Sequence, residues 1–339
     1  HQGVTFVVDQ LPPPVHLAVA SRTEPPFPLP LWRARRQLVE LDADDLRFTP
    51  EEVADFLNRV MGLGLSGEQV AGLESATEGW IAGLQLAALS MEGEEDVGAF
   101  IRSFSGSHRY IFDYLAQEIL ARQPEPVQRF LMETSILERL SGSLCDAVVG
   151  EGAGRGNSQA VLERLEAMKL FVVPLDEERR WYRYHNLFAE FLEARLARSR
   201  EQEEVAALHR CAAAWHVAHD LIDGALHHTV AAEDFDEATD LLIAHADDFF
   251  THSTLRTLAG WIEALPDRFL DERPRLLMIY GWATLATGQL EKTERTLSRV
   301  EDVVGATTED LLRDPEALAP EQRFPLIEVT IIFIAYLIL

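Results

Sequence analysis

The chain has 339 residues, 47% hydrophobic and 25% charged, enough for two or three domains with sizeable cores. Its 30 Lys and Arg stand against 56 Asp and Glu, a net charge of -26, so most of its surface repels a phosphate backbone and a nucleic-acid-coating role is excluded. Only two cysteines occur, Cys145 and Cys211, in helical contexts without metal-type spacing; they exclude a disulfide framework and fit buried free thiols in a reducing, cytoplasmic setting.

The chain starts at His1 with no charged n-region or cleavage site, so we expect no secretory signal, and a fragment whose true beginning is missing. Val4, Val7, Val8 and Leu11 fit helical spacing, with a strand left open, until Pro12-Pro13-Pro14. Val15, Leu17 and Val19 alternate, and with Ala18 and Ala20 they predict a strand buried on both faces, as in a parallel sheet. It ends at Ser21-Arg22, placing Arg22 where open α/β sheets bind ligands, although a strand-end Arg also serves as a structural ion pair. The Pro-rich segment 25–30 and the basic turn Arg33-Ala34-Arg35-Arg36 lead to a second short strand, Leu38-Val39-Glu40-Leu41. Residues 1–45 thus predict the tail of a nucleotide-type α/β domain.

From 46 to 136 every legible element is helical. Thr49-Pro50-Glu51-Glu52 is a capping box with Pro at the first helical position, followed by Val53, Phe56, Leu57, Val60 and Met61 at core spacing. Ser66 and Gln69 cap a second helix, Gly79-Trp80 opens a third, and Tyr110, Ile111, Tyr114, Leu115 and Ile119 line one face of another.

Residues 137–200 predict a winged helix. A helix at 144–149, a Gly-rich break at 150–156 and a helix carrying Val161, Leu162, Leu165 and Met168 precede two short strands, 170–173 and 181–185, joined by a charged turn. Alternation puts Trp181, Arg183 and His185 on one face and Tyr182 and Tyr184 on the other. Asn186 is expected to cap the next helix, and His185, if it has no ligand, is a packed residue at the helix start. The acidic charge favours a switch over a DNA reader.

Residues 201–339 predict an irregular, TPR-like helical-hairpin solenoid. Its turn-into-helix segments at 233–238 and 288–293 lie 55 residues apart. The apolar run 329–339 is shorter than the ~20 residues of a membrane span, and a buried helix is expected. His209, His216 and His219 share roughly one face, with His227 and His228 nearby, but no H-E-x-x-H occurs, so no metal site is expected. No G-x-S-x-G elbow supports a hydrolase.

Taken together, Ser21-Arg22, Leu38-Val39-Glu40-Leu41, Asp45 to Glu52, Gly79-Trp80 with Gly83-Leu84-Gln85-Leu86-Ala87, Tyr184-His185-x-Leu187-Phe188 and the solenoid resemble the MalT-like, LuxR-type ATP-dependent transcriptional activators of the STAND class of P-loop ATPases. The resemblance covers essentially the whole chain and implies a mainly α protein: α/β tail, helical domain, winged helix, solenoid. It implies ATP and ADP as cofactors, with Mg, and a switch from a closed ADP-bound monomer to an active oligomer. Arg22 resembles the sensor of the γ-phosphate and His185 the winged-helix histidine at the β-phosphate, while Gly79 and Trp80 match the adenine-pocket motif, with Ile81 in place of a common proline. A small-molecule inducer would bind the solenoid, with Trp215, Trp261, Tyr280 and Trp282 as candidate platforms or else core rings. RNA polymerase and DNA would be partners only through a C-terminal domain not present here. No G-x-x-x-x-G-K-[ST] and no strand ending in paired acids occurs, so no hydrolysis is expected from these residues alone. The alternative is a nucleotide-independent interaction scaffold.

Overall fold

The computed structural model describes residues 8, 15–21, 25, 27–42, 45–91, 96–150, 157–252 and 254–338. The chain divides into two units, His1–Glu201 and Gln202–Leu339.

In the first unit the two strands expected near the start are absent. Residues 15–20 and 38–41 are irregular and mostly exposed, with Val19 at 53% and Val39 at 87%. A strand needs a ladder partner to satisfy its backbone, and the only sheet among the described residues is a two-stranded one much later in the chain. Between them a short helix, α1 (Leu29–Ala34), buries Leu29 and Trp32.

The capping signals fare better. α2 (Pro50–Asp55) starts on the expected box, with Thr49 and Glu52 exchanging side-chain and backbone hydrogen bonds. It then widens into a π turn, Phe56–Val60. The wider turn shifts the helical period, so Val53 and Leu57 are fully buried while Val60 stays 72% exposed. α3 (Gly67–Thr77) starts on the Ser66/Gln69 box. α4 (Ile81–Ser90), α5 (Val97–Ser103), α6 (Arg109–Tyr114) and α7 (Glu125–Glu133) complete a helical segment packed around Leu73, Leu84, Ile111 and Leu115.

α8 (Gly142–Val149), α9 (Ser158–Ala167), β1 (Val172–Pro174), β2 (Tyr182–Tyr184) and α10 (Asn186–Ser199) form the winged helix. The strands are antiparallel, Val172 opposite Tyr184 and Pro174 opposite Tyr182, and Leu140 bridges to Tyr182. Alternation sends Tyr182 and Tyr184 into the core, where the Tyr184 hydroxyl lies 2.7 Å from Thr134 Oγ1. α10 also closes on the helical segment: Gly106 donates its N–H to Glu190 at 2.6 Å, and a Cβ there would lie 2.0 Å from the Leu187 carbonyl.

The second unit is entirely helical among its described residues: α11 (Gln202–Ala218), α12 (Ile222–Ala231), α13 (Phe235–Ala244), α14 (Ala246–Thr251), α15 (Leu255–Glu263), α16 (Asp267–Asp271), α17 (Pro274–Ala286), α18 (Leu290–Val304), α19 (Thr308–Arg313) and α20 (Pro320–Ile338). Three of its turns share one device. Leu221, Asp234 and Gln289 donate N–H to carbonyls five residues back, just after Asp220, Glu233 and Gly288 at positive φ, the Schellman closure of a helix. Val329 and Ile332 of the C-terminal apolar run are buried in the core formed with α17 and α18, and no described helix is long and apolar enough to cross a membrane.

Candidate functional site

The site is built where the turn between α3 and α4 meets the start of α10. Glu78 and Gly79 both adopt the left-handed conformation, φ 49 and φ 71. Glycine is required at 79, because a Cβ there would sit 2.5 Å from the Phe48 carbonyl, and the Gly79 carbonyl accepts from Phe48 N–H at 3.0 Å. This double left-handed bend turns the Glu78 carboxylate toward the wing and Trp80 toward the ring cluster.

Glu78 is the hub. Arg183 donates to both its oxygens at 2.9 and 2.8 Å, Arg47 adds a bond at 3.3 Å, and the backbone N–H of Asn186 donates at 3.0 Å. The bidentate guanidinium pair is the strong form of such contacts. The bond to Asn186 satisfies an N-terminal donor of α10, so this helix is capped from 108 positions away. Asn186 is therefore not the cap expected from sequence; it is the first helical residue, and its own N–H is what needed an acceptor. Burial works to raise the Glu78 pKa, but the Arg183 and Asn186 hydrogen bonds and the nearby cations overcome it and hold the acid at about 2.

His185 lies beside this hub, 4% exposed, with neither ring nitrogen hydrogen-bonded. Its Nδ1 is 4.0 Å from Glu78 Oε1, too far for a bond. Burial pushes its pKa down, opposed by Glu78 and the Thr77 carbonyl and helped by Arg47 and Arg183. Its ring meets Trp80 and Phe171 edge-on at 6.2 and 5.7 Å, and Phe171 reaches that place from a backbone at φ 56, a strained conformation for an aromatic residue.

Gly79, Trp80 and His185 are thus brought together. Arg22 lies outside the described residues. Of the aromatic residues suggested for an inducer, Trp215 stacks on His219 at 3.8 Å, Trp261 donates to Asp223 at 3.2 Å, and Tyr280 donates to Glu263 at 2.8 Å beside a cavity of about 330 Å³. Trp282, two positions from Tyr280 on α17, points to another side of that helix and packs against the solenoid core. Sequence reading missed Glu78, Arg47, Arg183 and Phe171. The Glu-Gly pair after a helix was the available signal for a left-handed bend, but nothing in the sequence reports the pairing across 105 positions. On the wing itself Arg179 is paired with Glu166, Arg180 with Glu178 and Arg183 with Glu78, which leaves no unpaired arginine there for a phosphate backbone. Among the described residues no group of three or more His, Cys, Asp or Glu is placed to hold a metal.

These features define a winged helix latched by its wing and its last helix to a preceding helical turn. Residues 116–205 match the MalT winged helix domain, so the match begins within the helical segment and takes in α7 as well. The chain thus carries a MalT winged helix domain, and beyond it is similar to longer proteins. It is 33% identical over 320 residues to the serine/threonine-protein kinase PknK of Mycobacterium tuberculosis, covering 92% of this chain and 28% of the kinase. It is 31% identical over 307 residues to the HTH-type transcriptional regulator MalT of Klebsiella pneumoniae, covering 89% of this chain and 33% of that protein. This chain therefore spans about a third of the length of the curated relatives it matches. A STAND protein with a tetratricopeptide repeat sensor from Pyrococcus horikoshii aligns at a TM-score of 0.31 and 14% identity, over 86% of this chain and 45% of that one, a likeness too low to argue from.

Proposed function

We propose that this chain is the switch segment of an ATP-dependent, inducer-responsive transcriptional regulator of the STAND class, in which ADP holds a closed monomer and exchange for ATP with inducer releases an active oligomer. The observation that carries the reading is His185: a buried imidazole that makes no hydrogen bond of ordinary geometry, with the Thr77 carbonyl and the Glu78 carboxylate near it, packed on Trp80 beside the Gly79 bend. A neutral imidazole donates from one nitrogen in either tautomer, so it fits an oxygen of a nucleotide phosphate. Bound nucleotide supplies a terminal phosphate that is either present or absent. Trp80 offers an apolar face to a base, Gly79 gives close backbone approach, and Arg22 is assigned to the terminal phosphate.

Glu78 orients this group. By gripping Arg183 and the start of α10 it sets where His185 stands relative to Trp80. That one stretch resembles parts of both a kinase and a transcriptional regulator supports a role in switching over a role in output. RNA polymerase and promoter DNA are partners of the regulator through other residues, and the inducer is assigned to the solenoid.

The test is ADP retention by the full-length protein. We expect ADP to co-purify with it, and His185→Ala to weaken retention and raise basal transcriptional activity. Unchanged ADP affinity in His185→Ala removes the assigned role and favours the nucleotide-independent scaffold.

A further inference from the structure

A cluster of histidines in the second unit plays no part in the site above. His209 and His216 lie seven residues apart on α11 and face His228 of α12. Gly224 makes room for His216, since a Cβ there would come within 2.5 Å of its Nδ1. His209 Nδ1 and His228 Nδ1 are 2.9 Å apart, and the His216 ring stacks on His228 at 5.3 Å with its own Nδ1 buried and unpartnered. His228 is 3% exposed.

We propose that His209, His216 and His228 form a proton-sensing joint, in which acidification charges the packed rings together and opens the α11–α12 hairpin.

The short Nδ1 contact requires one ring to donate and the other to accept. A single proton on the pair leaves that bond intact, but a second places two N–H groups head to head. The unpartnered His216 nitrogen has no acceptor for an added proton either. Among the described residues no carboxylate is seen to act on the three rings. On α11 Glu203 pairs with Arg210; on α12 Asp223 accepts from Trp261; on α13 Asp236 and Asp240 lie toward Arg273, and Glu237 is exposed. The titratable groups that act on the three rings are other histidines: exposed His227 on all of them, His219 on His216. Burial holds all three below the ordinary value of 6.5, His209 to about 4 and His228 to about 3.

The folded hairpin thus prefers neutral rings, while the opened one takes up protons below about pH 6.5. Stability from this cluster is complete above that pH and is lost as pH falls toward the depressed folded values. With two or three rings titrating, the opening equilibrium grows roughly 100- to 1,000-fold per pH unit between pH ~6 and ~5.

Native-state hydrogen exchange of the full chain at pH 7.5 and 5.0, corrected for intrinsic exchange rates, tests this. The α17–α18 hairpin carries no histidine and serves as the internal control. We expect α11 and α12 to lose protection steeply on acidification while α17 and α18 do not, and His209→Gln to flatten that dependence by roughly tenfold per pH unit. Equal loss in both hairpins, or a His209→Gln protein with the wild-type pH dependence, overturns the proposal. The wild-type comparison of the two hairpins needs no variant to fold.

Discussion

At Glu78 the backbone sits at φ 49 and ψ 37, a region that L-residues enter at some cost, and the side chain is 12% exposed. Both expenses are offset by the bonds its carboxylate makes to Arg183, Arg47 and Asn186. A fall in pKa from 4.5 to about 2 corresponds to about 3 kcal/mol of native-state stabilisation. The folded value lies below the unfolded one, so this contribution is complete above pH ~4.5 and is lost as pH falls toward about 2. We expect Glu78→Gln to lower stability at pH 7 by about 3 kcal/mol in urea unfolding, with the two proteins converging as pH falls to about 2. His185 provides an independent reading at the same place. Its ring should titrate by NMR with a midpoint below 6.5, because burial disfavours the imidazolium more than Glu78 favours it; a midpoint above 6.5 would mean that Glu78 dominates.

Elements were legible in proportion to how local their causes are. The boxes at Thr49 and Ser66 lie within four residues and match the structure, as does the two-strand wing. The strands at 15–20 and 38–41 are expected from short apolar runs, and such a run says nothing about whether a partner strand is present. The cap of α10 was misassigned because its acceptor comes from a different helical turn. Two substitutions separate local from distant causes. Gly79→Ala must force a Cβ against the Phe48 carbonyl in a left-handed bend, and should destabilise by about 2 kcal/mol or more in thermal unfolding. Lys169, exposed at φ 52 where α9 closes, is the opposite case: Lys169→Gly removes strain at an unpacked position and should stabilise by up to about 1 kcal/mol.

Across the whole molecule the chain is acidic and mainly helical, and its wing arginines are each matched to a carboxylate. Three of the four residues assigned to nucleotide fall in one place, because Gly79 and Trp80 belong to a turn that the wing must meet for α10 to be capped. Of the aromatic residues of the solenoid, Trp261, Tyr280 and Trp282 pack against its core. The central claim is that the turn at 78–80 and the start of α10 act as one nucleotide-reading unit. Hydrogen exchange of the full-length protein with and without ADP tests it most directly. The account predicts that ADP slows exchange at 78–80 and at 183–187 together, and that His185→Ala abolishes the effect at both; protection of one segment without the other, or of neither, would contradict it.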